Sequence, residues 1–198
     1  MIWRCGQIGL EAELTTVAII GAGPLGRVLA LLSARAGFHT VLEDVLPSNL
    51  RKASSALEVL QARELGSYAS VELVGSVEDA ARDADLILDS VPDELESKLE
   101  IFWLLDRMAP PRSILLTPTT ALSIADLASC TYRAERCLGF EIIGTVPPER
   151  LLEADAAIRL THPRGTLPEV LDQVSFFWRA AGVRCEVLLD PREVPAIA

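Results

Sequence analysis

Three glycines spaced G-x-G-x-x-G (Gly21, Gly23 and Gly26) separate the apolar run Val17-Ala18-Ile19-Ile20 from the amphipathic run Arg27 to Leu32. A strand turning into a helix at such a loop brings backbone amides and the positive end of the helix to one point. That point suits the pyrophosphate of a dinucleotide. Gly21 permits the tight turn, Gly23 lets the backbone approach phosphate, and Gly26 lets the helix pack closely on the strand. Pro24, followed by Leu25, fits the first helical turn, where its missing N–H costs nothing. The next apolar run ends at Leu42-Glu43-Asp44. A carboxylate at Asp44 accepts hydrogen bonds from both ribose hydroxyls and repels a 2′-phosphate, and no Arg or Lys follows at once. The pattern predicts a dinucleotide crevice that prefers NAD to NADP. The alternative is a tight strand–helix turn with no ligand.

The elements that must position this loop alternate along the chain. Short apolar runs predict strands near Thr16–Ile20, Thr40–Glu43, Val71–Val74, Leu86–Asp89, Ser113–Thr117, Cys137–Ile142, Glu153–Arg159 and Arg184–Leu189. Helical stripes lie between most of them: Leu25, Val28, Leu29 and Leu32; Leu95, Leu99, Phe102 and Leu105; Val170, Val174, Phe177 and Ala181. Ser123 with Asp126, and Thr166 with Pro168 and Glu169, read as helix starts, and Gly182 as a helix stop. The alternation predicts an α/β fold, a doubly wound, mostly parallel sheet with helices on both faces. We expect one domain over 15–198 behind a leader over 1–14.

Bulk properties narrow the partners. The chain has 198 residues, half of them hydrophobic, and a net charge of −10. Such an acidic surface argues against nucleic acid and against an anionic membrane. No apolar run approaches a membrane span. The cysteines (Cys5, Cys130, Cys137, Cys185) form no C-x-x-C pair and lie far from His39 and His162, so no metal site is expected. Reduced thiols in a cytoplasmic protein are the plain reading.

Past the first β-α-β unit, several segments resemble the NAD-binding domain of L-3-hydroxyacyl-CoA dehydrogenases. Ala84-Asp85-Leu86-Ile87-Leu88-Asp89-Ser90-Val91-Pro92-Asp93 is similar to that family's A-D-L-V-I-E-A-V-P-E, and Leu95-Glu96-Ser97-Lys98 to its L-E-L-K. Ile114 to Ile124 resembles I-L-A-T-N-T-S-S-L-S-I, and Leu138 to Pro147 lies where the family has V-G-L-H-F-F-N-P-V-P. The resemblance covers about residues 16 to 190. It implies a Rossmann-type fold with NAD as cofactor. The implied cofactor contacts are the loop of Gly21, Gly23, Pro24, Leu25 and Gly26, then Asp44, Ser90, Val91, Pro92, Asp93 and Lys98. Lys98 has a plainer reading as a solvated surface lysine.

The resemblance weakens at the catalytic set. The family's proton-accepting His is matched by Glu141, its orienting Glu by Glu153, its substrate-touching Ser by Thr120 and its Asn by Gly144. Two neighbouring glutamates would raise one another's pKa and could supply a base. The plainer reading is two solvated carboxylates in a site that has lost its chemistry. The family's G-F-I-V-N-R should follow near Asp190, where this sequence reads Pro191 to Ala198, so the helical C-terminal domain is expected to be missing. Asn49 to Leu65 reads as one modest helix in place of the family's long CoA-facing hairpin. We therefore expect an NAD(H)-binding protein with reduced or altered oxidoreductase activity. The alternatives are an active dehydrogenase of an acyl-CoA or small 3-hydroxy acid completed by a second copy or partner chain, and a non-catalytic interaction module docking through Phe176, Phe177 and Trp178.

Overall fold

The computed structural model describes residues 14–63, 68–144 and 147–193. Eight strands form one sheet: β1 (Thr16–Ile20), β2 (His39–Glu43), β3 (Val71–Val74), β4 (Leu86–Asp89), β5 (Ile114–Pro118), β6 (Cys137–Ile142), β7 (Ala157–His162) and β8 (Arg184–Leu189). Their order is β3-β2-β1-β4-β5-β6-β7-β8. All neighbours pair in parallel except β6 with β7. The helices are α1 (Pro24–Arg35), α2 (Pro47–Arg63), α3 (Val77–Ala81), α4 (Leu95–Met108), α5 (Ile124–Ala128) and α6 (Pro168–Ala180).

The period-two alternation of strand side chains sorts the core into two layers. Val17, Ile19, Leu42, Leu86, Leu88, Leu116, Leu138 and Phe140 join α1, α2 and α6 on one face. Ala18, Ile20, Val41, Ile87, Leu115 and Cys137 join α3, α4 and α5 on the other. Helices on both faces explain why the central strands are apolar throughout. The sheet is a single doubly wound Rossmann-type domain, as the strand–helix alternation predicts. The predicted leader over 1–14 falls almost wholly outside the described residues, as do Cys5 and Leu65.

Several local readings are corrected. The seventh strand begins at Ala157, not Glu153, because Pro148–Leu152 coils into a 3-10 turn whose Leu151 is buried against the α1 layer. The polypeptide cannot extend until that turn closes. Thr166 does not cap α6: its hydroxyl donates to the Pro163 carbonyl, and Leu167 holds the cap position. Leu95 is half exposed, and the buried stripe of α4 runs through Lys98, Ile101, Phe102 and Leu105. Phe177 and Trp178 are fully buried and meet edge to face with ring centroids 5.1 Å apart, leaving Phe176 as the exposed member of that cluster. The predicted aromatic docking surface is thus mostly core.

Other expectations hold. Ser123 caps α5 by accepting from the Asp126 amide. Gly182, at φ +78°, ends α6 and turns the chain so that the Val183 amide reaches the Trp178 carbonyl.

Candidate functional site

A parallel sheet whose strand order reverses beside β1 opens a crevice at the carboxyl ends of its strands. The loop from Gly21 to Gly26 lies at that point, between β1 and the N-terminus of α1. Gly21 takes φ +100°, which a side chain would strain, and a Cβ there would sit 2.8 Å from Ser90 Oγ. A Cβ on Gly26 would overlap the Gly21 carbonyl oxygen. At Gly23 the situation is opposite: a Cβ would meet nothing within 4 Å. Gly21 and Gly26 are required by the packing of the fold itself. The open volume over Gly23 is where an approaching phosphate needs room. No side chain caps α1, as none caps α4 or α6, whereas Ser76 and Ser123 cap α3 and α5. The first-turn amides of α1, beginning after Pro24 at Leu25 and Gly26, are left for an external acceptor.

Asp44 is nearly buried beside this loop. Its Oδ2 accepts from the Ala22 amide at 3.0 Å and its Oδ1 from the Leu46 amide at 2.9 Å. Asn49 Nδ2 donates to both oxygens, at 3.2 and 3.0 Å. The carboxylate is thereby held against the glycine loop. Among the described residues the Asn49 amide is the one side-chain donor on it, in the role the ribose hydroxyls would take. Val45 and Leu46, which follow, are exposed apolar residues at the mouth of the crevice. Such surface suits the flat face of a nucleobase. The residues present therefore fit a dinucleotide: amides for diphosphate, a fixed carboxylate for a sugar, and apolar surface for a base.

The crevice continues across β4, β5 and β6. Ser90 donates its hydroxyl to the Ile20 and Gly21 carbonyls at 3.0 and 2.8 Å, pinning the loop after β4 to the glycine loop. Asp93 Oδ2 accepts from the Thr120 amide at 3.2 Å, tying that same loop to the one after β5. Val91 is half-buried and Pro92 exposed between them. Lys98 is fully buried below, its Nζ 2.9 Å from Asp89 Oδ1. Burial pushes the Asp89 carboxyl up, while the Lys98 ammonium, the Thr117 hydroxyl and the Val91 amide pull it down. Asp89 Oδ2 and the Thr117 hydroxyl are both buried without a hydrogen-bond partner among the described residues.

The catalytic candidates separate. Glu141 Oε2 accepts from Arg159 Nη1 at 2.9 Å, its cross-strand register partner on β7. Glu153 lies exposed in the turn before β7 and pairs with Arg150. The structure thus gives each glutamate its own guanidinium instead of joining the two. Thr120 is exposed and enters the crevice network through its backbone amide.

Glu43, Asn49, Asp89 and Arg159 are the residues that sequence reasoning passed over. For Glu43 a signal existed: it is an acid in a strand flanked on both sides and covered on both faces.

This geometry has relatives. A family model described as 3-hydroxyacyl-CoA dehydrogenase, NAD binding domain, matches residues 16–157. A probable 3-hydroxybutyryl-CoA dehydrogenase of Bacillus subtilis is 29% identical over 151 residues, covering 71% of this chain and 53% of the relative. The 3-hydroxyadipyl-CoA dehydrogenase of Escherichia coli is 27% identical over 183 residues, covering 86% of this chain and 37% of the relative. Among solved structures, a diketoreductase superposes with TM-score 0.77 at 27% identity, over 88% of this chain and 64% of that one. The chain spans about half the length, or less, of these curated relatives. The crevice, the order of its motifs and the matched length agree that the chain belongs to the 3-hydroxyacyl-CoA dehydrogenase family, whose NAD-binding domain it carries.

Proposed function

We propose that residues 21–26 and Asp44 hold NAD(H), with Ser90, Val91, Pro92 and Asp93 along the nicotinamide half, and that the chain serves 3-hydroxyacyl-CoA metabolism with reduced or altered dehydrogenase activity. NAD, when bound, is a hydride carrier. The protein's own residues fix where it lies. The α1 amides take the diphosphate, Asp44 takes the adenosine sugar, and Ser90 holds the two crevice loops together. Lys98 acts from beneath the loop after β4, through Asp89, rather than from the surface.

The observation that carries the reading is the open volume over Gly23 next to two glycines that packing makes obligatory. The altered activity rests on Glu141, which is engaged by Arg159 where relatives with the matching motif present a base. The substrate class we propose is an acyl-CoA or a small 3-hydroxy acid.

Gly23→Val tests the binding claim directly. Gly23 has φ −66° and an unobstructed Cβ direction, so the variant is expected to fold as the wild type does. It should lose NADH binding, read by cofactor fluorescence, by about 10-fold or more, because the branched side chain fills the phosphate cradle. Unchanged NADH affinity in a folded Gly23→Val protein would remove the loop from the site.

A further inference from the structure

β8 ends the sheet on one side, and among the described residues it pairs with β7 alone. In a parallel ladder, alternate residues of a strand bond to its neighbour. The Arg184 amide reaches the Ala156 carbonyl, and the Asp190 amide the His162 carbonyl. Even-numbered residues therefore serve β7, and the N–H and C=O groups of Cys185, Val187 and Leu189 point away from the sheet. Such a row of open backbone groups is a template for another strand, and proteins commonly blunt it with Lys, Pro or a bulge. Residues 184–189 hold neither Lys nor Pro, and their register with β7 runs unbroken over six residues. Val187 and Leu188 project to opposite faces and are 41% and 47% exposed. β3, at the far edge, has only four residues, and its apolar ones are all partly buried.

We propose that the open edge of β8 docks a second copy of this chain, β8 running antiparallel to the partner's β8 about a twofold axis at Val187. Charge selects that register. Directly opposed residues of an antiparallel pair share a face, so a symmetric pairing can slide only in whole-residue steps of the axis. With the axis at Val187, Cys185 faces the partner's Leu189, Glu186 the partner's Leu188, and Arg184 the partner's Asp190, an opposite charge. The outward backbone groups of Cys185, Val187 and Leu189 then all find partners. An axis at Glu186 sets that acid against its own copy, and an axis at Leu188 sets Glu186 against the partner's Asp190; like charges directly opposed are destabilising. An axis at Cys185 would enlist Val183, whose amide already serves the Trp178 carbonyl. β8 lies at the end of the sheet remote from the glycine loop after β1, so the pairing leaves both crevices open. The inference does not depend on NAD binding.

Sedimentation velocity of the full chain should show a monomer–dimer equilibrium with a Kd of about 1–100 μM, as suits one small interface. Val187→Pro removes only an N–H that points outward, where an edge strand tolerates proline, and should weaken the dimer about 10-fold or more. Val187→Lys sets two like charges face to face on the axis and should do the same. Circular dichroism checks that each variant is folded. A gain of signal covers the case in which they are not. Val187→Cys in a Cys185→Ser background should form an intermolecular disulfide under mild oxidation, because opposed Cα atoms lie about 5.5 Å apart, within disulfide reach. Glu72→Cys on β3, in the same background, should not. A wild type that stays monomeric at about 300 μM, well above the expected Kd, would overturn the proposal. So would a dimer that survives both folded variants, or the absence of a disulfide at residue 187. Failure of the protein to bind NADH would strike the cofactor reading and leave this one standing.

Discussion

Replacing Lys98 by Met is expected to destabilise the protein by about 4 kcal/mol at pH 7 and by much less at pH 5. The ammonium and the Asp89 carboxylate are 0% and 1% exposed and lie 2.9 Å apart. Removing the cation leaves an acid with no water and no countercharge. Burial alone already drives its pKa upward. An isolated carboxyl in such a place takes up a proton rather than stay ionised. The cost of keeping it protonated is about 1.4 kcal/mol for each pH unit above its unfolded pKa of ~3.9, hence about 4 kcal/mol at pH 7 and about 1.5 at pH 5. The pH 7 figure falls in the range of about 3–5 kcal/mol typical of broken buried pairs. It is a large part of the ~5–15 kcal/mol that holds a domain folded. Urea unfolding at the two pH values reads it. The double variant Lys98→Met/Asp89→Leu, which removes both charges, should return to within about 1–2 kcal/mol of wild type. A loss under about 1 kcal/mol at pH 7, or the same loss at both pH values, would refute the reasoning.

Two further outcomes follow from single positions. Glu43→Gln should change the pH dependence of folding. The wild-type carboxyl rises from 4.5 unfolded to about 7 folded, so its protonated form stabilises the fold fully below pH 4.5, and that contribution is lost as pH climbs through 7. The variant should gain about 2–3 kcal/mol over wild type between pH 5 and pH 8 in urea unfolding, and parallel curves would contradict this. Gly26→Ala should lower the thermal midpoint of the cofactor-free protein, because its Cβ would overlap the Gly21 carbonyl oxygen, whereas Gly23→Val should not. Equal midpoints for the two variants would show that the loop is not packed as described.

The sheet was largely legible because its signals are local and repeated. Alternating core faces in Val17 to Ile20, and again in Leu86 to Asp89, leave little choice of strand or register. β7 was misplaced for a non-local reason: Glu153 reads as strand-like, but burial of Leu151 against the α1 layer coils the segment before it. On α4, helical spacing alone puts Lys98 in line with Ile101 and Phe102. Recognising it as buried required the knowledge that Asp89, on a different element, ends directly beneath it. The tight turn of the glycine loop and the place of Asp44 beside it were legible since both depend on backbone shape. Glu141 and Glu153 were not, because a side chain's partner depends on which strand lies across from it. Arg159 reaches Glu141 only through the antiparallel β6–β7 pairing, the one reversal in the sheet.

A side-by-side titration of the purified protein with NADH and NADPH at fixed ionic strength tests the central claim most directly. Backbone amides of the glycine loop and the Asp44 carboxylate predict saturable NADH binding, with NADPH bound at least about 10-fold more weakly because its 2′-phosphate meets that carboxylate. Saturable binding of NADPH with equal or greater affinity, or no binding of either at millimolar concentration, would contradict the account.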